Sequence, residues 1–221
     1  SAAAFCRGGS GGAAVGVAGN VHRWSEGGVG PTFEARFEID RFSAMAFSVD
    51  RSRLIATSRN SGTLVMDSAT GAFLLTLGDG RFPERAVACS PDGRQIAIGS
   101  DDRAVRFYDS ATGRLERKVA GLPWATYDLE FDSTGTVLFA VGRGPEIVVI
   151  DPREGTELAK FTAHEKHIFS IAVSGDGRTL YTSGQDPYIG VTDLGRLEKY
   201  TIRNARYATS ADAKLLSDNP E

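Results

Sequence analysis

Ala86-Val87-Ala88-Cys89-Ser90-Pro91-Asp92-Gly93, followed by Gln95-Ile96-Ala97-Ile98-Gly99 and by Ala104-Val105-Arg106-Phe107-Tyr108-Asp109, is the stretch that decides the fold. Runs of about five residues, bounded by Gly, Asp, Ser and Pro, follow the grammar of short strands and tight turns. Residues 85–89 read as a first strand that ends in the turn Ser90 to Gly93. Residues 95–99 and 104–108 are the second and third strands, Asp109-Ser110-Ala111-Thr112-Gly113 is the next turn, and residues 115–119 close the unit. Gly supplies a positive φ in such turns, and Asp or Ser bonds its own backbone.

The unit repeats along the chain. Trp24, Met66, Tyr108, Ile150 and Thr192 are each 42 residues apart, and the residue after each is Ser25, Asp67, Asp109, Asp151 and Asp193. Gly9, Arg51, Gly93, Gly135 and Gly177 form a second column, and Phe5, Phe47, Cys89, Phe131 and Val173 an apolar third. No insertion or deletion is needed to hold the register. Only the stretch from Glu154 to Ile168 competes as a helix. The same columns elsewhere hold Phe73-Leu74-Leu75-Thr76-Leu77 and the alternating Phe33-Glu34-Ala35-Arg36-Phe37, so the register assigns strand there too. One four-stranded sheet cannot bury both faces alone, whereas stacked copies share a continuous core. Met45 and Phe47, Leu129 and Phe131, and Ile171 and Val173 are the alternating apolar positions that such stacking requires.

Composition agrees with a globular chain. The 221 residues are 41% hydrophobic and 24% charged, and the 26 glycines exceed the usual ~7%. A formal net charge of −3 lacks the basic excess of a nucleic-acid binder, so nucleic acid is not expected as a direct partner. No apolar run approaches the ~18 residues of a membrane span, and Ser1 to Phe5 carry no signal-peptide pattern, so no membrane insertion is expected. Cys6 and Cys89 are too few for a disulfide framework; Cys89, in the run Ala86-Val87-Ala88, reads as a buried free thiol. A reducing intracellular, cytoplasmic location is the expectation.

A 42-residue, four-strand unit whose third strand ends in Asp resembles the WD-repeat (WD40) family. Trp-Asp stands here as Tyr-Asp at 108–109, Met-Asp and Ile-Asp in the neighbouring units, Thr-Asp in the fifth and Trp-Ser in the first, while the Gly-His dipeptide survives as Ala163-His164. The resemblance implies an all-β fold, a β-propeller of four-stranded antiparallel blades with the first strand innermost. It also implies a hydrogen-bonded set within a blade. In the fifth unit the matching positions are His164, Ser183, Asp186 and Thr192, which makes His164 structural rather than catalytic. Asp67, Asp109, Asp151 and Asp193 are likewise structural repeat positions. The units run over about 1–42, 43–84, 85–126, 127–168 and 169–210, with a partial sixth at 211–221 whose first strand is expected near residues 214–219. A seven-bladed ring of this period needs roughly 294 residues, so the expectation is five complete blades and the start of a sixth within a larger ring.

Catalytic chemistry finds no foothold. There is no GxSxG, no Cys–His motif and no Ser-x-x-Lys. Gly8-Gly9-Ser10-Gly11-Gly12 lacks the Gly-Lys-Ser/Thr of a phosphate loop and reads as a turn. His164-Glu165-Lys166-His167 has i, i+3 spacing, unlike a zinc-binding HExxH helix. No cofactor and no metal site are expected. What remains is surface. The resemblance implies partner binding on the face made by the loops before the first strand and between the second and third. In register these positions are Arg41 and Ser43, Pro83 and Arg85, Ala125 and Tyr127, and His167 and Phe169, with Arg59, Asp101, Arg143 and Gln185 before the second-to-third-strand turn. Arg and Tyr are enriched where binding energy concentrates. The functional expectation is a non-catalytic scaffold that binds other proteins, through an acidic segment or within a large complex. The alternatives are an accessory propeller of a longer catalytic or signalling chain, and a propeller enzyme with a central-channel site.

Overall fold

A computed structural model describes residues 2–5, 11–15, 19–25, 33–38 and 41–195. The fourth strand of the fifth unit, the expected strand near residues 214–219, Cys6 and the turn at Gly8 to Ser10 lie outside the described residues.

Within them the chain forms five antiparallel meanders. The first is β1 (Ala2–Phe5), β2 (Gly11–Val15), β3 (Asn20–Ser25) and β4 (Phe33–Arg36). The second is β5 (Phe42–Phe47), β6 (Arg53–Ser58), β7 (Thr63–Asp67) and β8 (Phe73–Leu77). The third is β9 (Glu84–Cys89), β10 (Gln95–Ser100), β11 (Ala104–Asp109) and β12 (Leu115–Ala120). The fourth is β13 (Thr126–Phe131), β14 (Leu138–Gly142), β15 (Glu146–Asp151) and β16 (Thr156–Thr162), and the fifth has β17 (Ile168–Val173), β18 (Thr179–Gly184) and β19 (Ile189–Asp193). The ambiguous stretch after Glu154 is strand β16. First strands of successive sheets touch one another, β1 to β5, β5 to β9, β9 to β13 and β13 to β17, which places them innermost as in propeller blades.

One apolar cluster fills each gap between blades. Leu54, Ala56, Met45 and Met66 face the first blade with Val21 and Ala13. Ile55 and Val65, one residue out of phase, face the third blade and meet Val87, Ile96 and Ile98. Ala97, Phe107 and Val105 meet Leu129, Leu138, Ala140 and Ile150 across the next gap. Phe139, Val141, Ile147 and Val149 then meet Ile168, Ile171 and Leu180. Because each sheet is covered on both faces, its second strand is buried nearly throughout, as in β6, β10 and β14. Each Leu or Ile so enclosed contributes about 1.5–3 kcal/mol.

Turn chemistry repeats with the blades. Asp67 Oδ1 accepts from the Ala69 and Thr70 amides at 3.0 and 2.8 Å, and Asp109 Oδ1 from the Thr112 amide at 2.7 Å. Asp151 accepts from the Arg153 amide at 2.7 Å and Asp193 from the Gly195 amide at 2.9 Å. These carboxylates close the turn after the third strand. At the other turn Ser48, Ser90 and Ser174 donate to Asp50, Asp92 and Asp176 at 2.6, 2.6 and 2.5 Å. The next residue is left-handed in each, Arg51 at φ 63° and Gly93 and Gly177 at 72°, and Gly135 holds the same place in the fourth blade at 72°. At Gly93 an added Cβ meets nothing nearer than Val49 Cβ at 3.8 Å, so a side chain there is opposed by the backbone alone. Gly93→Ala is therefore expected to lower stability by about 1 kcal/mol. In urea denaturation the midpoint should fall with an unchanged slope; an unchanged midpoint would contradict this.

Candidate functional site

The same backbone hydrogen bond is built at the axial mouth of four successive blades. Arg59 N donates to Arg41 O at 3.3 Å, Asp101 N to Pro83 O at 2.9 Å, Arg143 N to Ala125 O at 3.0 Å and Gln185 N to His167 O at 2.8 Å. Each bond joins the residue entering the first strand to the one leaving the second. A bulge follows in each of these first strands, where Ser43, Arg85, Tyr127 and Phe169 are passed over in the pairing, between Phe42 and Ala44, Glu84 and Ala86, Thr126 and Asp128, and Ile168 and Ser170. Such bulges re-aim side chains at strand ends.

Two rungs of side chains result. Arg41, Ser43, Arg59, Arg85, Tyr127 and Phe169 line one open depression of about 280 Å³, floored by Phe42. Phe42 is 2% exposed and packs edge-on against Phe37, so it is wall rather than contact surface. Arg143, His167, Gln185 and Asp101 stand at the mouth without lining that depression. Asp101 accepts from Arg85 Nε and, at 2.8 Å, from its second nitrogen, a bidentate pair. The Arg85 guanidinium lies 5.5 Å from the Tyr127 ring centroid, and Tyr127 lies 6.2 Å from the ring of Phe169. Arg85 is thereby held as part of a rigid wall. Arg41, Arg59 and Arg143 are exposed and have no ion-pair partner among the described residues.

The fifth-blade network corrects two expected residues. His164 Nδ1 lies 2.6 Å from Asp186 Oδ1, and His164 Nε2 lies 2.9 Å from Thr182 Oγ1. The hydroxyl is that of Thr182, not Ser183, which is exposed. Adjacent strand residues point to opposite faces. Leu180 and Thr182 face the fourth blade, where His164 sits, and Ser183 faces away. The third-strand residue against the network is Gly190 rather than Thr192. Thr182 pairs with Gly190 and Leu180 with Thr192, and a Cβ on Gly190 would meet Thr182 Oγ1 at 2.3 Å and His164 Nε2 at 3.1 Å. Asp186 also accepts from the Glu165 amide at 2.9 Å. Burial opposes its ionisation, but the bonds from His164 and Glu165 outweigh that and hold its pKa below the ordinary value.

The equivalent aspartate of the third blade, Asp102, has no histidine. It pairs instead with Arg106 at 3.1 Å and Lys118 at 3.4 Å. Beside this cluster stands Glu84, 4% exposed, with its Oε2 accepting from Thr63 Oγ1 at 2.6 Å. Burial pushes its pKa up to about 7, against the pull of Thr63 and Arg106. Sequence reading missed Glu84. Its column holds Phe42, Thr126 and Ile168 in the other blades, and that one acidic member among uncharged ones was the available signal.

Elsewhere chemistry is quiet. A second depression of about 390 Å³ lies between blades two and three at the opposite ends of the strands, where Val49, Ile55, Ile96 and Cys89 meet. Cys89 is half-buried rather than fully enclosed, and burial pushes its thiol up to about 12, so it is not a thiolate nucleophile. Among the described residues no group of three or more His, Cys, Asp or Glu is placed to hold a metal, and no helix is long and apolar enough to cross a membrane.

Comparison with known proteins fits this architecture. The family model "WD domain, G-beta repeat" matches residues 85–109 and 155–193. Cell division cycle 20.1, cofactor of the APC complex, from Arabidopsis thaliana is 24% identical over 193 residues, 77% of this chain and 40% of that protein. WD repeat-containing protein 55 from Bos taurus is 30% identical over 112 residues, covering 51% and 29% of the two chains. The WD repeat-containing protein 91 homolog of Dictyostelium discoideum is 30% identical over 105 residues, 45% of this chain and 14% of that one. The chain thus spans less than half the length of each of these relatives.

Proposed function

We propose that this chain, a β-propeller whose residues 85–109 and 155–193 match the WD-repeat family model, is a non-catalytic scaffold that holds other proteins in one assembly through its axial mouth. The observation that carries this reading is the mouth itself. Four blades present equivalent ends, and these ends gather three exposed arginines with no ion-pair partner among the described residues and the ring pair of half-buried Tyr127 and exposed Phe169, on a chain whose net charge is −3. Arg85, Tyr127 and Phe169 on the first strands are held against one another, so little of their side-chain freedom is lost when a partner docks. Arg and aromatic side chains are the types in which interface energy concentrates.

The reading is tested by capture. Substituting Arg59, Arg85 and Arg143 together with glutamine should reduce recovered partner protein at least about tenfold, while Arg94→Gln with Arg114→Gln, at the opposite strand ends, leaves it unchanged. The Arg85–Asp101 pair is about a quarter exposed, so losing it lowers stability by no more than about 1 kcal/mol and the variant stays folded. Equal capture by the triple variant and the wild type would sink the proposal.

A further inference from the structure

Arg41 and Arg59 are opposed across the end of the β5–β6 pair, joined by the Arg59 N to Arg41 O bond. Like charges directly opposite each other destabilise a strand pair. The equivalent positions avoid the clash, with Pro83 and Asp101, Ala125 and Arg143, and His167 and Gln185. In the third blade the nearby arginine, Arg85, has its own carboxylate in Asp101. In the second blade nothing among the described residues neutralises the two guanidinium groups, although both line the same depression. An anion from outside would relieve the repulsion.

The opposite wall of that depression is aromatic. Phe169 is 51% exposed, which leaves an apolar ring facing solvent beside Tyr127. Tyr127 is fixed from its other side by Arg85. One depression therefore offers two bare guanidinium groups and, across from them, an unsatisfied apolar surface. The opening is shallow, about 280 Å³, and lined largely by exposed ends of strands, so it suits a chain segment laid across it better than an enclosed small molecule. The overall charge of −3 and the carboxylate of Asp101 at the rim weigh against a polyphosphate backbone.

We infer that the mouth takes an extended acidic peptide segment of a partner protein, with an Asp or Glu carboxylate between Arg41 and Arg59 and an apolar or aromatic side chain on Tyr127 and Phe169. This rests on the interaction reading above and names the chemistry of the partner at that same site. Arg presents a fixed planar fork to a carboxylate, so two opposed arginines bind one acidic side chain with defined geometry.

The test applies the full chain to arrays of 12-residue peptides in three matched sets. One set combines Asp and Glu with Phe and Leu, the second replaces Asp and Glu by Asn and Gln, and the third carries phosphoserine on the Asn/Gln background. The acidic set should bind at least about tenfold more strongly than the neutral set, with binding that weakens as salt rises. Arg41→Gln with Arg59→Gln should remove that preference while its Tm stays equal to or above the wild type, because the repulsion is gone. Phe169→Ala should weaken binding several-fold to acidic peptides that carry Phe, and Arg94→Gln, at the opposite strand ends, should leave the preference within about twofold. The inference is overturned if acidic and neutral sets bind alike, if the double Arg41/Arg59 variant keeps the preference, or if only the phosphoserine set binds. In each of those cases the triple-variant capture experiment still decides the interaction reading separately.

Discussion

An Asp186→Ala variant is expected to lose about 3 kcal/mol of stability at neutral pH. Asp186 and His164 have side chains 3% and 1% exposed, 2.6 Å apart. Removing the carboxylate strands the buried His164 Nδ1 and takes the acceptor from the Glu165 amide. Breaking one partner of a buried pair is costly for that reason. For a chain of this size the loss corresponds to a fall in Tm of roughly 6–12 °C. Asp186 is held below its ordinary pKa, so its contribution is fully present above the unfolded value of 3.8 and is lost as pH falls through the lower folded value. The gap between wild type and variant should therefore close in strong acid. Ser183→Ala is the contrast: that hydroxyl is exposed and outside the network, so its effect should stay within about 0.5 kcal/mol. Equal losses at Ser183 and Asp186, measured by thermal unfolding, would contradict the assignment.

Glu84→Gln is expected to move stability the other way. The folded chain raises the Glu84 pKa from 4.5 to about 7, mainly by burial. Folded protein keeps a proton there that the unfolded chain releases, so wild-type stability falls as pH rises from about 4.5 to 7 and is lower throughout the range above. The full separation corresponds to about 3 kcal/mol. Glutamine has the same shape, carries no charge and still accepts from Thr63. At pH 8 the variant should melt several degrees above the wild type, and below pH 4.5 the two should coincide. A difference that ignores pH, or a variant less stable at pH 8, would refute the account. The cause is local to the third blade, where Asp102 already engages Arg106 and Lys118 and leaves Glu84 only a hydroxyl.

Both results concern positions that are equivalent in sequence and different in surroundings. Asp102 and Asp186 occupy the same place in the 42-residue register, yet one is paired with an arginine from its own third strand and the other is hydrogen-bonded to a histidine preceding the first strand of its blade. The register does not reveal this choice, because Arg106 and Gly190 are themselves equivalent and differ in whether they reach back toward the aspartate. In the same way Arg85 looked as available as Arg59 in the sequence. Only the folded chain shows Asp101 closing on Arg85 while Arg59 has no ion-pair partner among the described residues.

The sequence by itself determined the strands, the turns that join them and which residues reach the axial mouth. An unbroken period carries each residue to an equivalent place in the next blade, and Asp, Ser and Gly at fixed offsets close the turns through bonds to their own backbone. Tertiary structure alone decided which side chains meet: Thr182 instead of Ser183 at His164, Asp101 at Arg85, Glu84 enclosed with Thr63, and, among the described residues, no carboxylate paired with Arg41 or Arg59. Period fixes position along a strand, but neighbouring residues point to opposite faces. Which face a neighbouring blade covers is set by packing between sheets far apart in sequence.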